Sequence, residues 1–331
     1  MPRRLLAVLA SAVVAACSSS GGTNGSSPDG SSGDDGGTTS DASLEGGPAA
    51  DGSGADAGGH DGTVGGEGGI VDAGGDSAIP GWTLTWSDEF GGADGSPVDP
   101  TKWTHDVGGS GWGNQEREYY TDGAQNAVQQ GGYLVITATP NGASQYSCWY
   151  GTCLYTSARL KTQGLFSQAY GRFETRAQMP FGKGLWPAFW MLGANIDTVN
   201  WPACGEVDIL ETIGTDITTN HGSLHAPNYN PTGTYPLPNG AKYSDAFHTF
   251  AAEWEPGVVR FYVDDVLYET RTSGETDAGG TWEFDHPFFL LLNVAVGGQW
   301  PGDPDSTTTF PQTLKVDWVR VYAKNGGGGD P

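Results

Sequence analysis

From Pro80 onward the chain is written in short apolar runs set between turn residues. Apolar and polar side chains alternate in Arg172–Gln178 and in Lys315–Tyr322. That period of two is what a strand with one buried face requires. Further β-rich runs are read at Tyr133–Thr139, Gly171–Gln178, Gly184–Leu192, Glu206–Ile213, Thr249–Trp254, Val258–Val263, Phe288–Val296 and Leu314–Val321. Val263-Asp-Asp-Val266 predicts a tight hairpin turn between two of them. No long stretch carries a helical period. The pattern predicts an all-β fold, one large antiparallel β-sandwich of jelly-roll type.

Before Pro80 the pattern is absent. Arg3 and Arg4 precede an apolar run from Leu5 to Ala16, which reads as an export signal and is too short to span a bilayer as a helix. Val14-Ala-Ala-Cys17 is similar to the lipobox of bacterial lipoproteins, in which the cysteine is lipidated. Residues 1–17 are thus expected to be removed or anchored at Cys17. The product is a cell-surface or outer-membrane lipoprotein, or a secreted protein. Residues 18–79 hold no Phe, Tyr, Trp, Lys or Arg and are mostly Gly, Ser, Asp, Ala and Thr. Such a segment cannot bury enough apolar surface to offset its ordering entropy, so it is expected to be disordered. As a coil it spans roughly 40–45 Å, as a tether off a membrane or as an inert spacer. All 12 Trp lie from Trp82 onward, and residues 324–331 form a second Gly-rich tail. The folded domain is therefore bounded at 80–323.

Within one predicted strand, Gly205-Glu-Val-Asp-Ile-Leu-Glu-Thr-Ile-Gly214 raises a question of chemistry. Strand alternation puts Glu206 and Asp208 on one face, with Leu210, and turns Glu211 away. A one-residue bulge near Ile209 and Leu210 returns Glu211 to the face of the other two. Like charges gathered on one sheet face cost stability, and a solvated charge run does not account for their apolar neighbours. Carboxylate pairs flanking a glycosidic bond are the usual equipment of glycosidases, and retaining enzymes hold theirs about 5–5.5 Å apart.

Charge limits the partners. The net charge is −24; residues 18–79 carry 11 acids and no Lys or Arg, and the signal two Arg, which leaves −15 on the rest. A domain this acidic excludes nucleic acid as a partner, and a membrane except through the N-terminal anchor. Neutral polymers such as sugars stay open. Cys148 and Cys153 flank a turn-like Trp-Tyr-Gly-Thr, and export favours oxidation, so a disulfide is expected. Cys204 shares the strand parity of Glu206 but has no evident base, and reads as a buried structural thiol rather than a nucleophile.

At this point the sequence resembles glycoside hydrolase family 16, in its bacterial laminarinase-like branch. The signature Glu-x-Asp-x-x-Glu stands as Glu206-Val-Asp208-Ile-Leu-Glu211. That longer spacing belongs to this branch, where the lichenase branch has Glu-x-Asp-x-Glu. Further blocks are Trp86-Ser-Asp-Glu-Phe90, Gly111-Trp-Gly-Asn-Gln-Glu116, Tyr155-Thr-Ser-Ala-Arg159, Gly184-Leu-Trp-Pro-Ala-Phe-Trp-Met-Leu192, Gly297-Gly-Gln-Trp300 and Val316-Asp-Trp-Val-Arg-Val-Tyr322. The resemblance implies a jelly roll with a concave substrate cleft. It makes Glu206 the nucleophile, Glu211 the acid/base and Asp208 their assistant. It implies Trp186 and Trp190 as platforms for sugar rings, where the bland reading is sandwich core. Trp300 is treated alike. Asn114, Arg159, His225 and Gln299 are implied as hydroxyl partners, and Trp112 and Glu116 as cleft rim. Leu210 stands where Met is common, Thr212 where a larger residue is frequent, and Ser223 for a usual Thr.

The resemblance also implies a structural Ca2+ held by Glu89, Gly132 and Asp317, whose oxygens suit that ion. No catalytic cofactor is expected. The function implied is retaining endo-hydrolysis of β-1,3-glucan by a monomer. The alternatives are a mixed-linkage β-1,3-1,4-glucanase or galactan hydrolase of the family and, in another class, a non-catalytic glucan-binding protein, whose relatives typically lack one or both Glu.

Overall fold

The computed structural model describes residues 79–276 and 279–326. The signal with Cys17 lies outside them, as do the 18–79 spacer up to Ala78 and the tail from Gly327.

Alternation builds two antiparallel sheets that face one another. In the convex sheet the order is Val266–Thr272, Val258–Val263, His248–Glu255, Gly171–Gln178, Gln312–Lys324, Tyr133–Ala138 and Ala127–Gln130. Trp82–Asp88 pairs with Gln312–Lys324 beside this path. The second sheet runs Thr232–Pro236, Thr219–His225, Glu206–Glu211, Leu185–Gly193, Phe288–Val296, Arg159–Lys161 and Thr104–Asp106. Hairpins join the strands within 185–236 and within 248–272, and the chain crosses between the sheets where Gly171–Gln178 leads to Leu185–Gly193 and Phe288–Val296 to Gln312–Lys324, as in a jelly roll. The hairpin at Val263–Val266 closes with Asp264 (φ 47°) and Asp265 (φ 62°) both left-handed, the geometry whose twist matches the flanking strands.

The core sits between the sheets. Phe173 and Val321 from the convex sheet meet Phe189, Val207, Leu224 and Leu292 from the other, all essentially unexposed. The runs Leu185–Gly193 and Phe288–Val296 are buried at every position because the second sheet is covered on both faces. Its outer face carries a smaller apolar cluster of Ala188, Trp190, Leu192, Cys204, Phe289 and Leu291. This outer face is the floor on which the carboxylates stand. The last strand runs on through Lys324, and the Asn325 N–H donates to Gly81 O at 2.8 Å, slightly past the expected end of order at Ala323.

Candidate active site

The register between Leu185–Gly193 and Glu206–Glu211 pairs Phe189 with Leu210 and Trp190 with Asp208. Ile209 is the extra residue. Ile209 and Leu210 both enter the core, and Glu211 returns to the side of Glu206 and Asp208. A bulge leaves ladder groups unpaired, and pairing with Thr219–His225 stops at Asp208. Asn220, wholly buried, takes over. Its carboxamide oxygen accepts from the Glu211 N–H at 3.1 Å, and its Nδ2 donates to Ile209 O at 3.2 Å and to the Tyr268 hydroxyl at 3.1 Å. Nothing in the sequence singled out Asn220, because its partners are backbone atoms of another strand.

Each glutamate receives an indole N–H. Trp201 donates to Glu206 Oε2 at 3.0 Å, and Trp186 to Glu211 Oε1 at 2.7 Å. His225 Nε2 lies 3.1 Å from Asp208 Oδ2 and 3.9 Å from Glu206 Oε1. Its Nδ1 faces Asn230 Oδ1 at 3.1 Å, so both ring nitrogens donate and the ring is a cation. Burial opposes that charge, but the hydrogen bond to Asp208 and the three surrounding carboxylates outweigh it, raising its pKa to about 10. Burial and the Asp208 charge push the Glu206 carboxyl up to about 8, against the lowering pull of His225, Arg159 and the Trp201 N–H. The same two causes hold Glu211 well above the ordinary carboxyl range. Among the described residues, only Glu206, Asp208 and His225 bring metal-ligating atoms of three such side chains within 4.8 Å of one another. A doubly protonated His225 is that cluster's own cation.

The two expected ring platforms are set differently from the expectation. Trp186 and Trp190 are only 7% and 8% exposed. Trp186 meets Trp300 edge to face at 5.3 Å. The Arg159 guanidinium lies over Trp190 at 4.7 Å and under Trp112 at 4.9 Å, while its Nε pairs with Asp106 at 3.0 Å. Strand parity gave the correct face for both indoles. It could not show that other side chains would cover them and turn them into floor and hydrogen-bond donors. Half-buried Trp300 and Trp112 are the more open rings. His225 is likewise engaged by Asp208 rather than left for a sugar hydroxyl.

Asn114 is buried, with Nδ2 on Glu116 Oε1 at 3.2 Å, and its backbone oxygen accepts from the N–H of exposed Gln299. Glu116 is no rim residue: it is 4% exposed, beneath Asn114. The loop bearing these residues is clamped by the Ser147–Thr152 hairpin, whose Cys148 is bonded to Cys153 just beyond it. The Trp149 indole N–H reaches Glu116 O at 2.8 Å. Cys204 is buried in the floor cluster. Trp201 escaped the sequence reading because it lies in a loop, outside any strand parity.

The positions proposed for calcium do not fit that ion. Glu89 is held bidentately by Arg320 at 2.8 and 3.0 Å, and Asp317 pairs with Arg176. Gly132 sits in an exposed turn. Carboxylates already neutralised by guanidinium groups are not a free set of hard oxygen ligands.

A buried glutamate and a half-buried one on one sheet face, with indole donors and a buried aspartate between them, can divide the roles of nucleophile and proton donor. The comparisons agree with that chemistry. Residues 114–320 match the family described as glycosyl hydrolases family 16. The chain is 44% identical over 261 residues to a beta-glucanase of Rhodothermus marinus, covering 73% of this chain and 86% of that protein. It is 33% identical to glucan endo-1,3-beta-glucosidase A1 of Niallia circulans, covering 75% of this chain and 39% of that longer one. The catalytic domain of an endo-1,3-beta-glucanase (laminarinase) from Thermotoga petrophila RKU-1 superposes with a TM-score of 0.69 at 47% identity, over 74% of this chain and 98% of that one. With a matched region of this extent, the chain belongs to glycosyl hydrolases family 16.

Proposed function

We propose that the protein cleaves β-1,3-linked glucan internally and with retention of anomeric configuration. The observation that carries the reading is the bulge at Ile209, which sets Glu211 on the face of Glu206 and Asp208. Glu206 attacks the anomeric carbon, and Glu211 gives its proton to the departing oxygen. Water, deprotonated by Glu211, then releases the sugar from Glu206. Ionisation falls on Glu206 because Arg159 adds there to the pull of His225 and an indole N–H, whereas Glu211 has only the last two. Glu211 keeps its proton because its neighbour Asp208 is an anion and its site is buried. The β-1,3 linkage is supported by the names of the Niallia and Thermotoga relatives.

Digestion of laminarin, lichenan, curdlan and agarose by the purified protein tests this. Internal cleavage of laminarin and curdlan to β-configured oligosaccharides is expected. Products from lichenan or agarose alone would overturn the linkage. The N-terminal segment supports export, with Cys17 as a lipid anchor; replacing Cys17 should move the mature protein from membranes to the soluble fraction. A net charge of −15 on the folded part favours a monomer. A structural calcium forms no part of this reading.

A further inference from the structure

Behind the cleft floor lies a second pair of buried carboxyls that the reaction does not use. Glu118 is unexposed and Glu116 nearly so. Glu118 Oε2 accepts from the Val296 N–H at 2.6 Å, whereas Glu118 Oε1 is buried with no donor facing it. Glu116 accepts from the Tyr120 hydroxyl at 3.0 Å on Oε2 and from Asn114 Nδ2 at 3.2 Å on Oε1. The two carboxyl groups lie close enough to interact directly. Two carboxylates have no proton to share, so the buried Glu118 Oε1, which faces no donor, is satisfied against Glu116 only as a hydroxyl.

Tyr120 also accepts, from Asn293 Nδ2 at 3.3 Å, and Asn293 Oδ1 accepts from the Trp190 indole at 2.8 Å. Every bond in this series points one way, from Trp190 through Asn293 and Tyr120 to Glu116. Trp190 in turn supports the Arg159 guanidinium.

We infer that Glu118 is a neutral acid donating its proton to Glu116, and that this pair positions the Trp190–Arg159 wall of the substrate cleft through Tyr120 and Asn293. Glu116 is the ionised member, since the Asn114 and Tyr120 donors and the Arg159 charge converge on it against the upward push of burial. Burial and the Glu116 charge push the Glu118 carboxyl well above its ordinary range, as a proton donor needs. The other ionisable groups facing the pair are Tyr120 and, more distantly, Tyr150. Glu118 is a positioning residue. It rests on the glucanase reading only for its consequence, and its protonation state can be read without substrate.

Two variants separate the proton from the shape of the side chain. Glu118→Gln keeps a donor for Glu116 and an acceptor for Val296, so KM and kcat on soluble β-1,3-glucan should stay at wild-type values. Glu118→Met fills the space but donates nothing, and KM should rise about tenfold with kcat little changed, as a binding wall shifts. The infrared carbonyl band of a neutral carboxylic acid is then followed at neutral pH in the glucan-free Glu206→Gln/Glu211→Gln protein. It should weaken when Glu118→Gln is added. An unchanged band, or Gln and Met variants with equal kinetics, would overturn the inference; the band speaks even if no glucan is cleaved.

Discussion

The two sheets use the same residue types to opposite ends. On the convex sheet the buried carboxylates have cations of their own: Arg172 holds buried Glu174 at 2.8 Å, and half-buried Glu253 and exposed Asp265 at 3.1 Å each, while Asp88 has Lys102 at 3.6 Å. On the concave face Glu206, Asp208 and Glu211 share one imidazolium, while the nearby Arg159 is committed to Asp106. Burial without matching countercharge is costly to folding. The convex arrangement settles its charges; the concave one leaves its carboxyls short of them, and so lifts their pKa values into a range where a proton can be passed. Unsettled charge, rather than charge itself, marks the site.

Breaking the concave side should have the largest effect. Glu206→Ala should lose several orders of magnitude in kcat, with azide restoring turnover and giving an α-configured glycosyl azide. Near wild-type turnover would remove Glu206 as nucleophile. On the convex side, Arg172→Met leaves Glu174 buried without its partner and should cost about 3–5 kcal/mol by urea denaturation, with kcat unchanged in the folded fraction. A kinetic defect at low denaturant would erase the division between the sheets.

Asn220→Ala should fall between the two. It strands the Glu211 N–H and the Ile209 carbonyl inside the protein, costing about 1–3 kcal/mol, and it loosens the proton donor, so stability and kcat should drop together. A variant that loses only one of them separates the bulge from the chemistry. Glu211→Gln should stabilise. Glu206 and Glu211 bind protons more tightly folded than unfolded, so their contribution is intact below the ordinary value of 4.5 and declines as pH rises, through about 8 for Glu206. Glutamine escapes this loss, and its advantage should be absent at acid pH and grow to about 0.5–2 kcal/mol on the alkaline side. A constant gain at all pH would assign it to packing. Smallest is Glu89→Gln, whose exposed pair with Arg320 is worth about 0–1 kcal/mol. A calcium-dependent fall in Tm for this variant would reinstate the ion there.

Much of this was legible because it depends on parity. Alternation located the strands at 171–178 and 314–321, β-rich apolar runs located those at 258–263 and 288–296, and the spacing of 206, 208 and 211 announced the bulge before any coordinate. What escaped depends on partners far along the chain. The Trp201 donor comes from a loop, and Asn220 acts through backbone groups. Arg159 reaches Trp190 from a strand with only three paired residues, Arg159–Lys161. The depth of Trp186 and Trp190 escaped for the same reason: parity assigns a side, whereas burial is decided by what is laid on top. A single chain also gives Glu118 the same letter as any surface acid.

The bulge carries a consequence for changes in chain length. With Ile209 deleted, an unbroken strand would still put its third carboxylate over the cleft, because a spacing of four keeps the parity of Glu206. The side on which the acid stands therefore does not depend on the insertion. The interior would lose one of two consecutive apolar side chains, and Asn220 would be left holding a carboxamide with no gap to bridge. A single-codon deletion would thus be neutral in direction and expensive in fit, and repairing it would call for changes on the neighbouring strand and in the core. Lineages that gain or lose this residue should differ at Asn220 and its surroundings as a set.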